Sequence, residues 1–219
     1  MQYDCQLPGD RLYHVGRDIW FQPAGGRFYR VGVTQPLCLM AGYFTTVRPR
    51  PVNTFIRRDT PIALIVSRKY EGALITPADV KIVGINESVL ENPRIVCIDP
   101  YGSGWLAEVE IQEDPGAAGL VESSRAETLY REKNQRNGIV CLKVVPDYSR
   151  KIFGESCNMI LTEIGDFMEK YVGRGETLHV ITKDPVTEPD LLNMATTHGY
   201  QIVDLGRAGD LIHVIFRKS

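Results

Sequence analysis

Two positions in this 219-residue chain have the residue type and the setting for covalent chemistry. The first is Lys69, within Ala63-Leu-Ile-Val-Ser-Arg-Lys-Tyr-Glu-Gly-Ala-Leu-Ile-Thr-Pro77, between two apolar runs that read as strands. A primary amine at the tip of a tight, exposed turn can be acylated by an enzyme that grips the turn. Most lysines are only solvated surface residues, so placement alone does not establish that role. The second is Cys157, in Gly154-Glu-Ser-Cys157, directly ahead of Ile160, Leu161, Ile164, Phe167, Met168 and Tyr171 at helical spacing. A thiol at a helix N-terminus sits beside unpaired N–H groups and the positive end of the helix dipole, which favour the thiolate. Thiolate is the nucleophile in sulfur exchange. The bland alternative is a half-buried cysteine that merely opens a helix.

The elements that must position these residues fall into two patterns. Over residues 12–112, short apolar runs recur at Phe28–Val33, Ile62–Val66, Val80–Ile85, Ile95–Ile98 and Trp105–Ile111, separated by turns such as Pro23-Ala-Gly-Gly26 and Asp99-Pro-Tyr-Gly102. That spacing predicts a small all-β sandwich or barrel. From Gln112-Glu-Asp-Pro115 the composition changes, and residues 117–136 read as a polar helix with Asp114 and Pro115 at its start and Gly138 at its end. Beyond it the pattern is a strand at Ile139–Val145, a helix at Asn158–Val172, a strand at Leu178–Thr182, a helix at Glu188–Thr197 and strands at Gln201–Leu205 and Leu211–Phe216. This alternation predicts an α+β two-layer sandwich. The expected division is 1–112, a helix and linker at 113–139, and 140–219.

Composition excludes several classes. Hydrophobic residues make up 43% and charged residues 24%, ordinary globular values. The net charge of -2 comes without a basic block, against a protein held to nucleic acid by phosphate contacts. There is no apolar run of membrane-spanning length, and the N-terminal residues MQYDCQLPGD carry no signal-peptide core. Cys5, Cys38, Cys97, Cys141 and Cys157 lack CxxC spacing, so the expectation is five reduced thiols and a cytoplasmic protein. His14, His179, His198 and His213 have no metal-ligand spacing. Arg57-Arg58 and Arg68-Lys69 suggest a basic face, ordinarily a solvated one.

Ser67-Arg68-Lys69 with Pro77 eight residues beyond the lysine resembles the lipoyl-attachment hairpin of the glycine cleavage system H protein family. Val31-Gly-Val-Thr34, Asn86-Glu87, Leu90 and Pro93, and Asp99-Pro-Tyr-Gly-Ser-Gly-Trp-Leu106 follow the family's order, so the likeness covers roughly residues 12–136. The resemblance implies a barrel-sandwich hybrid with a C-terminal helix. It further implies lipoate attached covalently to Lys69, loaded by a lipoate ligase or lipoyl transferase. Its partners would be dihydrolipoamide dehydrogenase or glycine-cleavage-type enzymes. The chain departs from the family at Val66, Arg68 and Tyr70, which replace Glu, Val and Ala around the lysine, at Val80, which replaces a Gly, and at Cys97, which replaces an Asn.

Residues 140–219 are similar to the TusA/SirA sulfur carriers. Gly154-Glu-Ser-Cys157 precedes the first helix, Gly175-Glu-Thr-Leu178 the next strand, and Asp184-Pro185 and Asp190 the second helix. That family carries a persulfide on the matching cysteine, so the resemblance implies sulfur traffic at Cys157 with other sulfur-transfer proteins. Asn158 and Ile160 stand where the family has prolines. The expected function is therefore a carrier, not an enzyme: lipoyl-Lys69 shuttling an aminomethyl or sulfur-containing group. The alternatives are a sulfurtransferase that uses Cys157 with Lys69 unmodified, and a non-catalytic adaptor.

Overall fold

The computed structural model describes residues 4–154, 156–183 and 188–219. They form two compact units, one ending at Cys141 and one running Leu142–Ser219.

The first unit is built from β1 (Leu12–His14), β2 (Ile19–Gly25), β3 (Phe28–Val33), α1 (Gln35–Ala41), β4 (Phe44–Pro49), β5 (Phe55–Ile56), β6 (Pro61–Ser67), β7 (Glu71–Ile75), β8 (Val80–Ile85), α2 (Glu87–Glu91), α3 (Ile95–Ile98), β9 (Ala107–Ile111), β10 (Val121–Glu122) and α4 (Ser123–Asn137). A seven-stranded sheet has the order β10-β1-β2-β3-β9-β8-β5, and a three-stranded sheet the order β4-β6-β7. Their pairings are antiparallel, with facing residues such as Trp20 and Gly32, Val31 and Ala107, and Leu64 and Ala73. Trp20, Phe21, Val31, Val33, Val109 and Ile111 are fully or almost fully buried. Gly32 is required where it stands, because a Cβ there would drive into the Trp20 indole. That indole donates to Val33 O at 2.8 Å and Pro100 O at 3.0 Å. α4 covers Leu7, Tyr13 and Trp20 with Ala126 and Tyr130.

Three local expectations fail here. Ile95–Ile98 forms the helical turn α3, not a strand. The chain already winds from Asn92, whose carbonyl accepts from Ile95 N at 3.1 Å, and a four-residue apolar run carries no period that separates the two states. α1 was not foreseen within a strand-and-turn segment; Pro36 sits in its first turn, where a missing N–H costs nothing. Residues 115–119 form turns and α4 starts at Ser123. Asp114 does accept from Ala117 N at 3.0 Å, but Gly119 at φ +73° breaks the helical path. Gly138 closes α4 in the left-handed conformation, donating to Asn134 O and Gln135 O.

The expectation of five reduced thiols is also corrected. Cys5–Cys141 and Cys38–Cys97 are disulfides, with Cα separations of 5.0 and 5.3 Å. The partners lie 136 and 59 residues apart, so only the fold brings them together and sequence spacing gives no sign of it. By chain entropy each bridge alone stabilises the fold by about 4–5 kcal/mol.

The second unit contains β11 (Tyr148–Ile152), α5 (Cys157–Tyr171), β12 (Thr177–Thr182), α6 (Glu188–His198), β13 (Gln201–Ala208) and β14 (Leu211–Arg217). Its sheet has the order β11-β12-β14-β13, with β11 parallel to β12 and the other pairs antiparallel. α5 and α6 pack on one face: Ile160, Ile164, Met168, Leu191, Met194 and Ala195 meet Leu178, Val180, Ile212, Val214 and Phe216. The strand expected at Ile139–Val145 is irregular chain, and the edge strand is Tyr148–Ile152 instead. Val140, Leu142 and Val145 are buried but Lys143 N donates to the Asp204 carboxylate and Asp147 N to Thr177 Oγ1, so these amides enter no ladder. No helix among the described residues is long and apolar enough to cross a membrane.

Candidate functional site

β6 and β7 form an antiparallel hairpin, and Arg68, Lys69 and Tyr70 make its tip. Ser67 organises that tip. Its N–H donates to Tyr70 O at 2.7 Å, and its Oγ accepts from Lys69 N at 3.1 Å and Tyr70 N at 3.0 Å. The same hydroxyl donates to Ala41 O at 2.6 Å, fastening the tip to the last turn of α1. Short β-branched and apolar residues dictate the strands, and a serine hydroxyl is small enough to fold back onto the two following amides. The Lys69 side chain is exposed, with no ion pair among the described residues. Desolvation at the tip nevertheless pushes its ammonium below the ordinary lysine value, which enlarges the free-amine fraction. Tyr70 lies over Gly72, where any Cβ would strike the phenol ring.

On the three-stranded sheet beside the tip, Thr46, Arg48, Leu64, Val66, Glu71 and Ala73 line a groove of 460 Å³. Arg58, expected on a basic face, pairs with Glu113 and is not a free cation there.

The other sequence landmarks form the scaffold behind the hairpin. Asp99 Oδ1 accepts from Gly102 N at 3.1 Å, and Oδ2 accepts from Ser103 N at 2.7 Å and Ser103 Oγ at 2.9 Å. Gly104 packs directly against the carbonyl oxygens of Ile95 and Asp99, where a Cβ would come within 2.8 and 2.6 Å. Asn86 caps α2 through Ser88 N and donates to Ser103 O and Trp105 O. The Tyr101 hydroxyl accepts from Gln35 N at 3.0 Å, fixing the start of α1. α1 is thus held at one end by the Asp99–Trp105 segment and presents Ala41 O to Ser67 at the other.

Cys157 is the first residue of α5, after Ser156 as N-cap, and is the one cysteine outside a disulfide. Its surroundings act against the thiolate that the helix start favours. Partial burial pushes the thiol's pKa up, and the Asp190 carboxylate adds to this, its Oδ2 lying 3.6 Å away and accepting from the thiol. Asp190 also lines a groove between α5 and α6 that holds Asp166, Glu169 and His198, and Glu169 there pairs with Lys218. The Asp190 carboxylate beside the sulfur disfavours a negative thiolate or persulfide there. Asp184-Pro185 and Glu155 of the TusA-like pattern lie outside the described residues.

Sequence spacing also missed a histidine pairing. His179 on β12 and His213 on β14 meet with Nε2 and Nδ1 3.0 Å apart. They sit 34 residues apart in the chain, and only the strand register places them on one face. No group of three His, Cys, Asp or Glu among the described residues is arranged to hold a metal ion.

Comparison with known proteins adds a family assignment to this geometry. The family model described as "Glycine cleavage H-protein" matches residues 12–133. Glycine cleavage system H protein 5 of Aquifex aeolicus is 35% identical over 142 residues, spanning 63% of this chain and 95% of that protein. Probable glycine cleavage system H protein 2 of Sulfurisphaera tokodaii is 29% identical over 143 residues, spanning 64% and 97%. A crystal structure of a glycine cleavage system H protein from Mycobacterium marinum superposes with a TM-score of 0.49 at 26% identity, covering 60% of this chain and 99% of that one. The family match includes the Lys69 hairpin and does not reach Cys157.

Proposed function

This chain belongs to the glycine cleavage H-protein family, and from that premise we propose that it is a carrier whose Lys69 is the lipoate attachment site. The observation that supports this most is the tip itself. Lys69 is exposed between two paired strands, and its own N–H and that of Tyr70 are pinned by Ser67 Oγ. The residues present fit the group: an exposed amine of lowered basicity, outside any ion pair among the described residues, on a turn of fixed shape. Lipoate, when attached, supplies a dithiolane that accepts and hands on a reactive group.

The chain's own contribution is to present and hold. Ser67 keeps the turn from fraying, so a lipoate ligase or lipoyl transferase meets one backbone shape. β6 and β7 keep the amine clear of the sheet. Ala41 and α1 give the turn a rigid base. The protein presents a group to partner enzymes of the glycine-cleavage type and carries out no overall reaction alone. We read the unit ending at Cys141 as the carrier module and Leu142–Ser219 as a fused TusA-like module.

A second reading, sulfur transfer through Cys157, draws support from its place at the first turn of α5. The Asp190 contact weighs against it, so the lipoyl reading is preferred. Incubating unmodified protein with lipoate, ATP and the ligase of its own host tests that reading. One lipoyl group should be added to the wild type and none to Lys69→Arg. Equal labelling of both proteins would overturn the assignment.

A further inference from the structure

The geometry points to Cys38–Cys97 as a reversible thiol–disulfide centre that sets the order of the Lys69 turn. A continuous path joins the two. Lys69 N and Tyr70 N donate to Ser67 Oγ, Ser67 Oγ donates to Ala41 O, and Ala41 ends the helix that Cys38 anchors. Cys38 is bridged to Cys97 on α3. α1 has seven residues and α3 four, too short to persist without tertiary ties. The bridge is the covalent tie between them.

Both redox states are provided for. Cys38 Sγ lies 3.7 Å from Val96 O, and Cys97 Sγ lies 3.7 Å from Gly42 O. Each thiol of the reduced pair therefore has a carbonyl to which it can donate, so reduction leaves no buried polar group stranded. The Cys5–Cys141 bridge differs: the neighbour of both sulfurs is a donor, Asn134 Nδ2, at 3.5 and 3.6 Å.

The exchange is balanced with a vicinal dithiol as reductant. One thiolate of the dithiol attacks the Sγ of Cys97, the less completely buried residue of the pair, and the S–S bond breaks with the electron pair leaving on Cys38. The second thiol of the reductant then displaces Cys97 and closes a cyclic disulfide. Two electrons pass to the protein, and the two protons of the dithiol end on Cys38 and Cys97. With the bridge open, α1 and α3 separate more readily, Ala41 O is held less firmly, and the turn opens more often.

Hydrogen exchange over residues 67–70, with the bridge state read by alkylation and mass, tests this on the full chain and does not depend on what Lys69 carries. Dithiothreitol should reduce Cys38–Cys97 and speed exchange at the turn by about tenfold or more, as expected when a local opening equilibrium is released. Cys38→Ser/Cys97→Ser should exchange fast with or without dithiothreitol, and Cys5→Ser/Cys141→Ser should keep the redox response. Unchanged exchange after confirmed reduction, or a bridge that resists dithiothreitol in the folded protein, would overturn the inference. If the Cys38/Cys97 double variant does not fold, the oxidised-against-reduced comparison on the wild-type chain decides by itself.

Discussion

Ser67 Oγ lies 2.6 Å from the carbonyl oxygen of Ala41 and donates to it, while accepting the amides of Lys69 and Tyr70. One hydroxyl thus closes the hairpin tip and ties it to the end of a helix whose last carbonyls have no intrahelical partner.

Replacing that hydroxyl should loosen the tip first and the unit only modestly. Ser67→Ala removes one donor and one shared acceptor from a partly buried site, a loss of about 1–2 kcal/mol. Urea denaturation should show a small fall in midpoint. Lipoylation of Lys69 by the host ligase should slow by more than that fall explains, because the turn loses its shape. Unaltered labelling would show that the ligase does not read the turn.

Gly104 faces backbone, which cannot move aside as a flexible side chain can. Gly104→Ala should destabilise the first unit by about 1–3 kcal/mol through overpacking, since the new Cβ would meet Ile95 O and Asp99 O. Gly9→Ala, which meets nothing within 4 Å, should leave the denaturation midpoint almost unchanged. Equal midpoints for the two variants would contradict the close approach.

The second unit should weaken in mild acid. Burial holds the His213 imidazole below its ordinary value of 6.5, with the Lys151 cation acting in the same direction. The unfolded chain takes up a proton near that ordinary value while the folded chain resists it. Stability is therefore present above about pH 6.5 and is lost as pH falls below it. Hydrogen exchange in β12 and β14 should be faster at pH 5.5 than at pH 7.5, after correction for the intrinsic pH dependence of exchange. His213→Gln should flatten the difference.

Asp190 should restrain Cys157. Asp190→Asn removes the carboxylate that opposes thiolate formation and accepts the thiol proton. Alkylation of Cys157 by iodoacetamide at neutral pH should become several-fold faster. A rate equal to that of the parent would show that partial burial alone raises the thiol's pKa.

The first unit was legible because its motifs are local. Ser67, Asn86, Asp99, Gly102 and Gly104 each make at least one contact with a near neighbour in the chain, so they recur in a fixed order that the family resemblance could be read from. Ile95–Ile98 was misread because four apolar residues have no measurable period, and α1 was missed because seven residues barely make two turns. Features made by long-range contact stayed hidden: both disulfides, the His179–His213 pair and the Asp190 carboxylate at Cys157 join residues 33 to 136 positions apart. The helix-start argument for Cys157 was sound in isolation. Two opposing influences lay beyond its reach: partial burial of the thiol first, and then a carboxylate on the neighbouring helix.

Peptide mass spectrometry of protein purified from its own host tests the carrier assignment most directly. A lipoyl amide should be found on Lys69 and on no other lysine. Lys69 found unmodified, in cells whose other lipoyl proteins are loaded, would contradict it.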